Sequence, residues 1–195
     1  MSTLTLDLNK RYSFADYLTW VDDTRRELID GFIKLMSPAP ARIHQRISWR
    51  LTKKINQFVE NQPFHVYYAP FDVRLPQHPE QRGNDQIYTV VQPDIVVICD
   101  LSKLDAQGCI GAPEMVIEIV SPSSIKHDLE EKFVLYQNSG VLEYWIIFTE
   151  DKAIQVFTMN DEKKYQLAGM YAGDSIAKSM IFNGLQVELS DVFMD

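Results

Sequence analysis

The apolar positions of this chain change period several times, and each change marks an element. After Ser13, the residues Phe14, Tyr17, Leu18 and Val21 recur at helical spacing, with Asp16 placed three residues after a potential cap, which predicts a short opening helix. Over residues 26–36 the pattern turns extended. There Asp30-Gly31 suits a two-residue type I′ turn between ELI and FIKLM, so a hairpin is expected. SPAPAR reads as a loop. From residue 42 to about 60, Ile43, Ile47, Leu51, Ile55, Phe58 and Val59 form the apolar stripe of a long helix that ends before Pro63.

After Pro63 the chain is extended again, through HVYYA, FDVRL, a polar insert over residues 77–86, and IYTVVQPDIVVICD. Residues 113–120 form another apolar strand. SPSS offers a cap for a second helix from residue 125 to about 138, with Leu129, Phe133 and Tyr136 on its apolar face and Ser139-Gly140 as its stop. EYWIIF, AIQVF and YQLAGMY follow as strands, and GLQVELSDVF as a short strand and turn. No repeat or long linker divides the chain, so a single α/β domain over residues 1–195 is expected.

Composition narrows the class. With 46% hydrophobic and 24% charged residues, the 195-residue chain can bury a real core. No run approaches the roughly 20 apolar residues of a membrane helix, and MSTLTLDLNKRY lacks a basic region followed by an apolar block. A soluble, cytoplasmic protein is the expectation. Cys99 and Cys109 are too few for a disulfide framework or a zinc site and read as reduced core or loop residues. The net charge of −8 argues against nucleic acid until its distribution is considered. Residues 25–54 carry eight basic side chains against two acidic ones, so a basic face stands out from an acidic remainder. On the long helix, Arg42, Arg46 and Arg50 lie on the outward side.

Two carboxylates interrupt strands that are otherwise apolar on both faces. Asp94 opens IVVIC directly after Pro93, and Glu118 sits inside MVIEIV. An ionised carboxylate there costs several kcal/mol unless it is paired or binds a cation. Asp94 could be a strand-end cap and Glu118 half of a buried salt bridge. Together they supply the hard oxygen ligands of Mg²⁺ or Mn²⁺, with room for water and a phosphate. On the following helix Asp128, Lys132 and Tyr136 lie at i, i+4 and i+8. Lys132 falls roughly 12 Å along the helix from its cap. Glu118 falls roughly 7 Å back from the strand end, so the ammonium can reach the carboxylates. A solvated pairing of Lys132 with Asp128 is the alternative, and Lys126 is a weaker candidate for the same role. Without a proton, Lys132 or a cation, the two carboxylates would repel each other.

These residues carry a family resemblance. ELIDG (27–31), MSPAP (36–40), His44, QPDIVVICD (92–100), PEMVIEIVSPSS (113–124), Asp128 with Lys132 and Tyr136, and GVLEYWII (140–147) resemble the Uma-two family of restriction endonucleases, within the PD-(D/E)XK nuclease superfamily. The blocks occur in order over nearly the whole chain. The resemblance implies an α/β (α+β) restriction-endonuclease-like core, a central mixed sheet flanked by helices, that cuts phosphodiester bonds with a divalent metal. Asp94 matches the motif's aspartate and Glu118 its second acid. The lysine expected two residues after Glu118 is replaced by Val120, and the resemblance passes its role to Lys132. Glu27 and His44 fall in matching blocks as further ligands or water-orienting groups. Their plain alternatives are a hairpin cross-strand pair for Glu27 and a capping or surface position for His44.

The expected function is therefore a metal-dependent DNA endonuclease. In it Asp94, Glu118 and the Ile119 carbonyl hold Mg²⁺ or Mn²⁺, Lys132 acts on the water or phosphate, and Arg42, Arg46 and Arg50 track the DNA backbone. DNA is the expected partner, and a homodimer the candidate assembly. The rival is a catalytically silent module of the same fold that binds nucleic acid or protein, and a third class is a phosphohydrolase of small nucleotides.

Overall fold

The computed structural model describes residues 5–36, 41–120 and 127–194. The expected SPAP loop, the SPSS cap, Lys126, and the side chains of Asp128 and Leu129 lie outside the described residues. Helix α1 (Phe14–Tyr17) begins with the capping box expected of Ser13 and Asp16: Ser13 Oγ accepts the Asp16 N–H, and the Asp16 carboxylate accepts the Ser13 N–H at 2.8 Å. Strands β1 (Arg26–Ile29) and β2 (Phe32–Leu35) form the expected hairpin. Both turn residues take positive φ, Asp30 at 52° and Gly31 at 85°, as a type I′ turn requires. Helix α2 (Arg42–Val59) buries Ile47, Leu51, Ile55 and Val59.

Next come β3 (His65–Tyr68), β4 (Val73–Arg74), β5 (Val90–Val91), β6 (Ile95–Ile98), β7 (Leu104–Asp105), β8 (Gly108–Ile110) and β9 (Met115–Val120). A turn of π-helix, His127–Lys132, leads into α3 (Phe133–Ser139), which Gly140 stops in the left-handed conformation. The expected regular α-helix is thus wound wider over its first turn. The remainder is β10 (Glu143–Phe148), β11 (Ala153–Met159), β12 (Tyr165–Ala172), β13 (Ile176–Lys178), β14 (Gln186–Glu188) and α4 (Leu189–Phe193).

The central sheet is mixed, in the order β12-β11-β10-β9-β6-β3, with β9 and β10 parallel and their crossover supplied by α3. Its two faces read directly off the strand alternation. On one side α2 packs over Ile95, Val97, Met115, Ile117 and Ile119. On the other, Tyr136 and Phe133 of α3 pack over Val96, Ile98, Val116 and Val120. Glu118 belongs by alternation to the α3 face.

One central sheet was expected, but six strands form a second sheet, in the order β2-β1-β5-β4-β8-β7. The run IYTVVQPDIVVICD is divided between the two sheets at Gln92-Pro93. Val90 and Val91 pair with β1 and β4, whereas Ile95–Ile98 pairs with β3 and β9. Proline has no N–H to donate to a ladder, so the chain changes partners there and leaves Asp94 at the seam.

Both cysteines are free thiols, with Cys109 wholly buried. Burial pushes the Cys99 thiol up to about 11 and the Cys109 thiol up to about 12. At pH 8 the reactive thiolate is then about 10⁻³ of Cys99 or less, so iodoacetamide should label the native protein at least ~100-fold more slowly than free cysteine. Labelling at the free-thiol rate without unfolding would contradict this burial.

Candidate active site

Asp94 and Glu118 face each other because β6 and β9 are antiparallel. Ile95 pairs with Ile117, and one step further the same register sets Asp94 across from Glu118. Asp94 Oδ2 accepts the Ile119 N–H at 2.7 Å and lies 3.2 Å from His44 Nε2 in the first turn of α2. Its Oδ1 has no partner among the described residues. Glu118 is only 4% exposed, and its Oε1 accepts from Lys132 Nζ at 2.9 Å and from the Tyr136 hydroxyl at 2.7 Å. The same ammonium lies 3.0 Å from Glu27 Oε1, which also accepts the Gln92 N–H at 2.8 Å.

Glu27, His44, Asp94, Glu118 and Lys132, drawn from β1, α2, the start of β6, β9 and the mouth of α3, therefore meet at one place. Lys132 is 3% exposed, so it is no solvated partner of a helix neighbour. It bridges two buried carboxylates and supplies the cation that the sequence shows these strands to need. Glu27 stands opposite Lys34 in the hairpin register, yet its carboxylate turns to Lys132 and Gln92, while Lys34 pairs with Glu131 at 2.8 Å. The cross-strand alternative for Glu27 is not used.

Two members of the cluster had no role assigned by sequence. Tyr136 is fully buried, and its phenol is pushed well above the ordinary range, first by burial and then by the Glu118 and Glu27 charges. It is therefore a neutral donor fixed on Glu118. Gln92 joins Glu27 to a second group, because its Nε2 donates to Asp72 Oδ1 at 2.9 Å and to the Tyr17 hydroxyl at 3.3 Å. Burial raises both the Asp72 carboxyl and the Tyr17 phenol. The only signal for Gln92 in the sequence was its place next to Pro93-Asp94.

The donor set suits Mg²⁺ or Mn²⁺. Such ions are held by one or two carboxylates together with water and substrate phosphate rather than by an all-protein cage. Asp94 and Glu118 would be the two carboxylates, and Ile119 follows Glu118 on β9. Among the described residues no group of three or more His, Cys, Asp or Glu side chains is placed to hold a metal ion.

Two of the outward arginines of α2 have partners at the far end of the chain. Arg46 Nη2 donates to the Met194 carbonyl at 3.2 Å, and Arg50 Nη1 to the carbonyls of Val192, at 3.1 Å, and Met194. Lys54 pairs with Asp191 at 2.6 Å. These side chains satisfy the orphan carbonyls at the end of α4 and the charge beside it. Arg42 is exposed at the start of α2.

A mixed sheet covered by a helix on each face, with a carboxylate pair and a buried lysine beside the end of β9, is the layout of the restriction-endonuclease-like class. Residues 14–190 match the model of the Uma2 family, described as "Putative restriction endonuclease", and the chain belongs to that family. The uncharacterized protein slr1290 of Synechocystis sp. is 26% identical over 187 residues, covering 90% of this chain and 93% of its own. The crystal structure of "a putative nuclease belonging to DUF820" from Anabaena variabilis shares the fold. Its TM-score is 0.71 at 18% identity, with 93% of this chain and 97% of that chain covered. No helix among the described residues is long and apolar enough to cross a membrane.

Proposed function

We propose that this chain is a metal-dependent endonuclease that hydrolyses phosphodiester bonds in DNA. The observation that carries the reading is the Lys132 ammonium, which lies 2.9 Å from Glu118 directly across the sheet from Asp94. It supplies the cation that Val120 cannot, from the next helix instead of the same strand.

Asp94, Glu118 and the Ile119 carbonyl would hold Mg²⁺ or Mn²⁺, which polarises the scissile phosphate and lowers the pKa of a bound water. Lys132 orients the attacking water and offsets negative charge as the phosphorus becomes five-coordinate. As the water oxygen bonds to phosphorus, its proton passes to solvent and the opposite P–O bond breaks, with the electron pair departing on the ester oxygen, which takes a proton from solvent. His44, with Nε2 3.2 Å from the Asp94 carboxylate, and Glu27, 3.0 Å from the Lys132 ammonium, fix the groups that meet the substrate. Tyr136 holds the Glu118 carboxylate by its Oε1.

The test is plasmid cleavage by purified protein with Mg²⁺ or Mn²⁺, with Asp94→Ala as the control for contaminating nuclease. Nicking or linearisation that needs the metal and vanishes in the variant is expected. Absence of cleavage with either ion would leave the silent nucleic-acid- or protein-binding module as the better reading.

Arg42, Arg46 and Arg50 are the proposed backbone contacts, with Arg46 and Arg50 also serving the end of α4. Arg46→Ala with Arg50→Ala should lower stability by about 1–3 kcal/mol through the lost charge-assisted bonds. It should also flatten the log–log salt dependence of DNA affinity by roughly one unit per phosphate contact. A stability loss with an unchanged salt slope would restrict both arginines to the structural duty and leave Arg42 alone in contact with phosphate.

A further inference from the structure

Beside the carboxylate cluster lies a pocket of about 200 Å³, lined by Tyr17, Trp20, Arg25, Arg26 and Gln92 together with Asp22 and Asp23. It adjoins the site through one residue. The Gln92 N–H holds Glu27, and the Gln92 side-chain Oε1 accepts from Arg25 Nε at 3.3 Å and Nη2 at 3.0 Å. Arg25 continues the hairpin ladder, since its carbonyl accepts the Met36 N–H at 3.2 Å, so by strand alternation it projects on the same side as Glu27. Gln92 grips one edge of the guanidinium. Among the described residues the Nη1 donors have no partner, which leaves them for a ligand.

Three features decide the ligand. Whole small-molecule ligands occupy pockets of roughly 300–1,000 Å³, so this one accommodates a ring system that is part of a larger molecule. Its lining charges cancel in number, Asp22 and Asp23 against Arg25 and Arg26, and Asp22 is locked on Arg26 at 2.5 Å with its carboxyl lowered to about 2. A neutral pocket does not select a phosphate group. Its walls are aromatic, with Trp20 and Tyr17 at 5.5 Å between ring centroids, and they carry an amide and a guanidinium that can read a donor–acceptor edge.

We propose that this pocket receives a nucleobase of the nucleotide next to the scissile phosphate, with the ring against Trp20 and its polar edge toward Arg25. The proposal rests on the nuclease reading, for which it supplies a base-recognition subsite. The test follows the indole N–H resonances by NMR during titration with each of the four deoxynucleoside monophosphates, and with inorganic phosphate alone. Trp20 should shift with at least one nucleotide and not with phosphate. Trp145, buried with its N–H on Glu143 at 2.7 Å, should stay in place. Arg25→Ala should weaken the nucleotide response about tenfold or more without moving Trp145. A dinucleotide that binds more tightly than its monomers supports a polymer substrate, and equal affinities would overturn that part in favour of free nucleotides. The pocket assignment is overturned if Trp20 does not respond, if phosphate alone reproduces the shift, or if Arg25→Ala leaves the response intact. Cleavage of plasmid with a silent Trp20 would sink the subsite and spare the nuclease. A responding Trp20 without cleavage under any metal would do the reverse.

Discussion

Lys132→Met is expected to cost about 3–5 kcal/mol of folding stability at neutral pH, because it removes one partner of a buried ion cluster and leaves the others uncompensated. The methionine fills nearly the same space, so the loss is electrostatic. Glu118 and Glu27, 4% and 2% exposed, would keep only the Tyr136 hydroxyl, the Gln92 N–H and their other short-range partners while facing each other across the vacated position. One carboxyl must then take up a proton in the folded state, so its folded pKa rises above the unfolded value of about 4.3. The sign follows. Stability is lost as pH rises through that folded pKa and recovered as pH falls toward the ordinary carboxylate range. Denaturant melts of the variant near neutrality and near pH 5 read this directly. A deficit below about 1 kcal/mol at neutral pH, the value of an exposed pair, would show that Lys132 does not neutralise the cluster. Cleavage should fall by roughly 10²–10³-fold, the usual result of removing one charge-stabilising donor. Mn²⁺ should stabilise the variant at least as strongly as the parent, since the metal supplies the missing positive charge.

Mn²⁺ should raise the melting temperature of the unaltered protein. An ion that binds only the folded state adds about 2.7 kcal/mol at a hundredfold excess over its Kd. For a chain of this size that corresponds to roughly 5–10 °C. Asp94→Asn should abolish the shift while keeping the fold, because an amide oxygen can still accept the Ile119 N–H but brings no charge to the metal. Glu118→Gln should also lose the shift. Its apo stability should drop by about 1–3 kcal/mol, because Lys132 already offsets the repulsion between carboxylates and the substitution removes one of its two partners. A full Mn²⁺ shift in both variants would place the metal elsewhere.

The chemistry of the site was legible wherever a single residue contradicted its surroundings. A glutamate within MVIEIV and an aspartate at the head of IVVIC stand out because apolar strands do not tolerate charge without a partner. Helical rise alone brings Lys132 within reach of the carboxylates, although the π-helical turn that ends at Lys132 is wound wider than a regular α-helix. No local pattern marks Gln92, whose backbone N–H and side chain each hold a different acidic group. Nor does anything in the repeat of α2 point Arg46 and Arg50 to α4, because that repeat carries no reference to residues at the far end of the chain.

What the sequence determined by itself is what short-range physics enforces: the hairpin, because Asp30-Gly31 accepts two positive φ angles; the capping box of α1; the length and buried stripe of α2; and two strands buried on both faces, one headed by Asp94 and the other containing Glu118. The tertiary structure alone decided the second sheet, the change of partners at Pro93, the docking of α4 under the arginines, and the meeting of Glu27 with Lys132. Each of these depends on strand register and helix docking between segments far apart in the chain. A period of two or of 3.6 says which face a side chain takes, but it does not say which distant face will be packed against it.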